Sequence, residues 1–192
     1  MNTSGWVYDI AELAFNELQN RLNDHQINVQ VNFLDKRSAV DLELRRTMLD
    51  WRLWFKDKHF SLENRFTLAI HSRGRPPIVI GAAVYSYDIK ANRVSIHMLE
   101  HFKKAVLNSA LEKRMAFCAF FAAYLFADIV DVKVLKISRP VPGLASFYQY
   151  WGFIYDEHGD MKVNKSHLLN KLRHLGQRGG VHDFEWPDAG LS

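Results

Sequence analysis

Cysteine is nearly absent: Cys118 stands alone among 192 residues. That count excludes an intrachain disulfide and a cysteine-based metal cluster, and it fits a reducing compartment. Long apolar runs are missing too. The longest, Met115 to Ala127, falls short of the roughly 20 residues that a bilayer-spanning helix takes. The opening residues, MNTSGWVYDIAELAF, lack a basic start and carry Asp9 and Glu12 among apolar residues, unlike a secretory leader. The expectation is a soluble, cytoplasmic protein. Charge of one sign is also scarce. Lys and Arg number 25 against 21 Asp and Glu, and the net +4 does not by itself argue for nucleic acid. Nine histidines invite a metal reading, yet none forms a ligand-spaced pair or His–carboxylate cluster on one face of a predicted helix, so no metal is expected. No internal repeat is visible.

What is present is a core's worth of apolar residues, nearly half the chain, arranged in a readable order. Residues 7–22 have helical spacing, with Ile10, Leu13, Ala14, Leu18 and Leu22 on one stripe. Residues 27–33, INVQVNF, alternate apolar and polar as a half-buried strand does. Residues 37–56 return to helical spacing through Val40, Leu44, Met48, Trp51 and Phe55, with a break near Asp50 compatible with the pattern. Three strands follow, Phe66 to Ser72, Ile78 to Tyr87 and Arg93 to Glu100, joined by two tight turns that imply an antiparallel meander. Gly81 inside the second strand points to a bulge or a close backbone approach. Residues 109–127 form a helix apolar almost all round, buried on more than one side and compatible with a homodimer. A short strand at 161–163 and a helix at 165–175 precede a tail with the composition of poor order.

The chain is organised around 131–156, DVKVLKISRPVPGLASFYQYWGFIYD. Val132, Val134 and Ile137 are strand formers, and Pro140 and Pro142 then stop any regular element. Leu144, Phe147, Tyr148 and Trp151 have helical spacing, Gly152 is placed as a C-cap, and Phe153 and Ile154 start another strand. The run from Ala145 to Phe153, ending Y-x-x-x-G-F, resembles the signature that links the fifth and sixth strands in the GNAT superfamily of N-acetyltransferases. The order strand, helices, three strands, helix, strand, short helix, strand resembles that family as well, and IVIGAAVYSY at 78–87 resembles its third strand. The resemblance covers roughly residues 26–163. It implies a mixed α+β fold, a central, mostly antiparallel sheet flanked by helices, with a helical extension at 1–25 and a helix and tail at 164–192.

The resemblance implies a chemistry and a site. An acyl group, most simply acetyl, passes directly from acetyl-CoA to an amine on a small molecule or a protein, within a ternary complex. Tyr148 holds the position of the acid that protonates the departing thiolate. Glu100, at the end of the fourth strand, is the candidate base, with His97 and His101 nearby. Met98 and Leu99 on that strand, and Lys113, Arg114 and Met115 before the buried helix, are the positions for the cofactor. The glycine-rich pyrophosphate loop of the family has no counterpart here. Between Glu100 and the helix the chain has no glycine, and Phe117 falls where one belongs. Two other readings follow. One is a GNAT-shaped binding or assembly module without CoA chemistry. The other is a nucleic-acid-directed member that uses the basic segment 162–178. Trp51, Trp54 and Phe55 are candidates to line an acceptor pocket, and Cys118 reads as a core filler.

Overall fold

A computed structural model describes residues 3–35, 38, 40–42, 47, 49–51, 64–102, 111 and 114–177. The first element is helix α1, Thr3–Asp24. Its buried stripe is Val7, Ala11, Ala14, Phe15, Leu18 and Leu22, whereas Leu13 is exposed. The expected face is therefore rotated. Phe15 has the larger apolar surface to bury, and it packs on Phe33 and Phe66 at ring separations of 4.9 and 6.2 Å.

Strands β2 (Arg65–Ser72), β3 (Val79–Asp88) and β4 (Arg93–His101) form the antiparallel meander that the turn signals predict, and β1 (Val29–Phe33) pairs antiparallel with β2 at its edge. Helix α2, Met115–Ile129, then crosses over the sheet, so β5 (Val134–Ile137) returns parallel to β4. A 3-10 turn at Pro142–Leu144 leads into helix α3, Ala145–Tyr150. Strands β6 (Ile154–Tyr155) and β7 (Met161–Asn164) and helix α4 (Lys165–Gln177) complete the described chain. The seven strands lie in the order β1-β2-β3-β4-β5-β7-β6, and β4–β5 is the one parallel pair among them.

Each face of the sheet has its own core. One layer joins α1, α2, α3 and α4 to Phe66, Leu68, Ile70, Ala83, Tyr85, Val94, Ile96, Leu135 and Val163. The other joins Leu42 and Trp51 to Ala69, Val79, Ala82, Val84 and Phe102. Most of the helix expected over 37–56 lies outside the described residues. Within it Leu42 and Trp51 are buried and Val40 is exposed.

Helix α2 is apolar on several sides because several elements of the same chain cover it: the sheet beneath, and α1 and α4 beside it. Ala116, Ala119, Ala122 and Ala123 are small enough to seat it closely, and Tyr85 donates its hydroxyl to the Ala119 carbonyl at 3.0 Å. Gly81 serves the same fit. A Cβ at that position would collide with Met115 Sδ and come within 3.0 Å of Leu111 Cδ1. The register also slips by one residue beside Gly81, between Ile70 and His71 of β2. Both expectations for this glycine, bulge and close approach, are met.

Candidate active site

The site is built by a mismatch in strand length. β4 has nine residues and β5 has four, and their pairing runs only from Val94–Leu135 to Ile96–Ile137. The Ser138 amide donates to the Ile96 carbonyl at 2.9 Å as the last link. Beyond it β5 turns away into Ser138, Arg139 and Pro140. Residues 97–101 of β4 keep β3 on one side and have no β5 residue on the other. This is an opening in the middle of a sheet, with backbone groups along one rim.

At the start of the opening β4 carries a bulge. Tyr85 pairs with Ile96 and Val84 with Met98, so His97 is the extra residue. His97 Nε2 lies 2.7 Å from Ser86 Oγ. Burial pushes the imidazole down to about 4; Arg65, Lys136 and Arg139 act in the same direction and Asp160 opposes them. The ring is therefore neutral at physiological pH. The sequence named His97 only as a neighbour of Glu100; the bulge that aims it is set by pairing with β3 and leaves no local signature.

Tyr148 sits on α3, the first element after β5. Its ring is buried in the α2 layer, edge-on to Phe147 at 5.5 Å. Burial pushes the phenol up to about 12, with Tyr155 adding to the shift. Phe153 donates its amide to the Tyr148 carbonyl at 3.1 Å, and Gly152, at φ +89°, makes that return possible. A Cβ on Gly152 would run into the His167 ring of α4. The Gly-Phe pair thus fixes the helix that carries the tyrosine.

Glu100 lies on the opposite face. It pairs with Ala82, belongs to the Trp51 layer and is 8 % exposed. Its Oε2 accepts from Trp51 Nε1 at 2.8 Å and from the Leu49 amide at 3.1 Å. Met98 packs in the same layer, whereas Leu99 faces the α2 side. The structure therefore places the carboxylate and the phenol on the two sides of the sheet, with the stretch of β4 that lies beyond the β5 pairing between them. Met115 is buried against Gly81, so its side chain is committed to packing. Arg114 is half-buried at the start of α2, and its amide donates to the Leu111 carbonyl at 2.8 Å. Lys113 lies outside the described residues, as does most of the glycine-free stretch around it. Phe117 stacks on Phe121 at 5.7 Å. Trp51 is a core residue and a hydrogen-bond donor; Trp54 and Phe55 are outside the described residues.

The basic segment 162–178 is partly neutralised. Lys162 pairs with Asp156 at 2.8 Å, Lys165 with Asp128 at 2.9 Å, and Lys171 lies over the Tyr150 ring at 5.2 Å. Among the described residues no helix is long and apolar enough to cross a membrane, and no group of three or more His, Cys, Asp or Glu is placed to hold a metal ion.

No family model and no curated protein matches the chain. Solved structures do. AtaTR bound with AcCoA superposes with a TM-score of 0.55 at 12 % identity, over 74 % of this chain and 97 % of that one. AtaT complexed with acetyl-methionyl-tRNAfMet gives 0.52 at 11 %, over 74 % and 98 %. Mutant forms of the spermidine/spermine N-acetyltransferase SpeG from Vibrio cholerae give 0.51 at 11 %, again over 74 % and 98 %. The chain has the mixed α/β fold of these structures, a seven-stranded, mostly antiparallel sheet flanked by helices, as the resemblance to the GNAT superfamily implies. At such identities the likeness is one of architecture, and the chemistry must be argued from the residues.

Proposed function

We propose that the protein is an acyl-CoA-dependent N-acyltransferase that moves an acetyl group directly to an amine. The observation that carries this reading is the opening between β4 and β5, with Tyr148 on the element that follows it. An extended pantetheine arm suits the stretch of β4 beyond the last β5 pair, since a strand's backbone N–H and C=O groups are what a peptide-like arm can pair with. Arg114 and the chain before it are the candidates to meet the pyrophosphate. With no glycine there, that contact rests on charge more than on a close backbone cradle.

In this reading the amine nitrogen attacks the thioester carbonyl carbon, a tetrahedral intermediate forms, and the C–S bond breaks. The sulfur leaves as a thiolate and takes the proton of Tyr148, whose phenol burial keeps protonated. The proton shed by the amine passes to Glu100, the carboxylate on the acceptor side of the rim, and the cycle closes when Glu100 releases that proton to solvent and Tyr148 takes one up. A thiol-release assay with acetyl-CoA and a panel of amines tests the proposal. Amine-dependent release of CoA thiol supports it, and its absence across the panel opposes it.

A nucleic-acid-directed version of the same chemistry has one observation in its favour: Lys165, Lys171 and Arg173 all lie on α4, a helix with no acidic residue. It predicts salt-dependent binding of tRNA that fails when those three are neutralised.

A further inference from the structure

Arg65, Ser86, Ser95, Lys136 and Lys162 are successive cross-strand neighbours on β2, β3, β4, β5 and β7, so they form one polar row on a single face of the sheet. It is the face of Glu100 and Met98. His97 joins the row through its contact with Ser86. Just past the end of β5 stands Arg139, exposed and in the left-handed conformation at φ 54°. A non-glycine residue adopts that conformation at a cost, and such strain persists where surrounding contacts hold it. Here the holding contact is Asp160, whose Oδ1 accepts the Arg139 amide at 2.9 Å while Oδ2 is paired with Lys136.

The charges in electrostatic reach of His97 are, among the described residues, Arg65, Lys136 and Arg139 against Asp160. Asp160 is engaged by Lys136 and by the Arg139 backbone, which leaves the exposed Arg139 guanidinium as the charge an incoming group meets. Glu100 lies three residues further along β4, enclosed by Leu49 and Trp51. A polycation brought to His97 meets like charge from several elements at once. An anion meets the opposite.

We infer that the amine accepted at this face carries a fixed anionic group, a carboxylate or a phosphate, held by Arg139, and that polyamines are rejected. Acetylation of that amine rests on the acyl-transfer reading; the binding of an anionic amine beside His97 does not.

The test is a nuclear magnetic resonance titration of the full chain with labelled histidine, the His97 ring signals being assigned from the His97→Gln variant. O-phosphoethanolamine, β-alanine and spermidine are the probes. Saturable shifts of His97 with both anionic amines, or with O-phosphoethanolamine alone, support the inference, the second outcome narrowing the group to phosphate. Spermidine should leave the ring signals in place at equal concentration. Arg139→Gln should weaken the anionic probes by about tenfold, the scale of one charged hydrogen bond, and Arg139→Lys should recover part of the loss. Both variants should keep the unfolding midpoint of the parent protein. A spermidine response equal to that of the anions, no response to either anion, or an Arg139→Gln variant that binds as the parent does would overturn it. If acetyl-CoA fails to bind while the anions still shift His97, the acyl-transfer reading fails and the anion site stands.

Discussion

Ser86 Oγ and His97 Nε2 lie 2.7 Å apart across β3 and β4, and the contact exists because β4 carries one residue more than its partner at that point. Deleting one side chain from this pair leaves a polar group half-buried between Arg65 and Lys136. The bulge also marks where β4 parts from β5, so a local pairing irregularity and the opening of the sheet share a position.

The pair has a pH signature. Burial, then Arg65, Lys136 and Arg139, hold His97 at about 4 in the folded protein, while its ordinary value is 6.5. Between those values the unfolded chain binds a proton that the folded chain does not, so stability rises with pH through the window. The contribution is complete above about pH 6.5 and is lost as pH falls towards about 4, a change on the order of 2–3 kcal/mol. Urea unfolding at pH 4.5 and 7.5 should show that loss in the parent protein and a much flatter response in His97→Gln.

Tyr148→Phe removes the phenolic proton and keeps the ring that packs on Phe147. Turnover should fall about a hundredfold or more, the usual scale for losing a general acid. Acetyl-CoA affinity and the thermal midpoint should stay as they were. An unchanged turnover at saturating substrates would take Tyr148 out of the mechanism.

Glu100 tethers Leu49 and Trp51 and is proposed as the base, and two variants divide these roles. Gln at position 100 keeps an oxygen to accept from Trp51 Nε1 and the Leu49 amide but cannot take a proton. Glu100→Gln should cut turnover sharply with a small change in stability. Trp51→Phe leaves one carboxylate contact unmade and should cost about 1.5–3 kcal/mol of stability. If Glu100→Gln leaves turnover intact, the carboxylate is only a tether.

Gly81 and Met115 should show coupled energetics. Gly81→Ala places a Cβ into Met115 Sδ, and overpacking of this kind costs about 1–3 kcal/mol. Shortening Met115 to Ala opens the space the new methyl needs, so the double variant should be more stable than the two separate losses predict. A strictly additive pair, read by denaturant unfolding, would mean that helix α2 shifts instead.

Much of this was readable in the residues. The RGRPP and YDIKANR turns fixed the meander, and the prolines and Gly152 around Tyr148 fixed the short helix and its return, because backbone constraints of that kind are local. Spacing alone does not settle the stripe of α1, since Leu13 and Phe15 are both apolar and only packing on Phe33 and Phe66 decides which is buried. The tether from Trp51 to Glu100 spans 49 positions, and no spacing rule reaches that far. The same holds for Asp160 and Arg139, which the turn at 156–160 brings together. The family resemblance points to Tyr148 and Glu100, with His97 only as a neighbour, but their distribution over two sides of an opened sheet is a property of the strand register.

Binding of acetyl-CoA by the unmodified protein tests the central claim most directly, and calorimetric titration with CoA as the control measures it. The account predicts saturable binding in the micromolar range, carried by the open rim of β4 in spite of the glycine-free stretch before α2. No heat with millimolar acetyl-CoA would contradict it and would leave a GNAT-shaped module with no acyl donor.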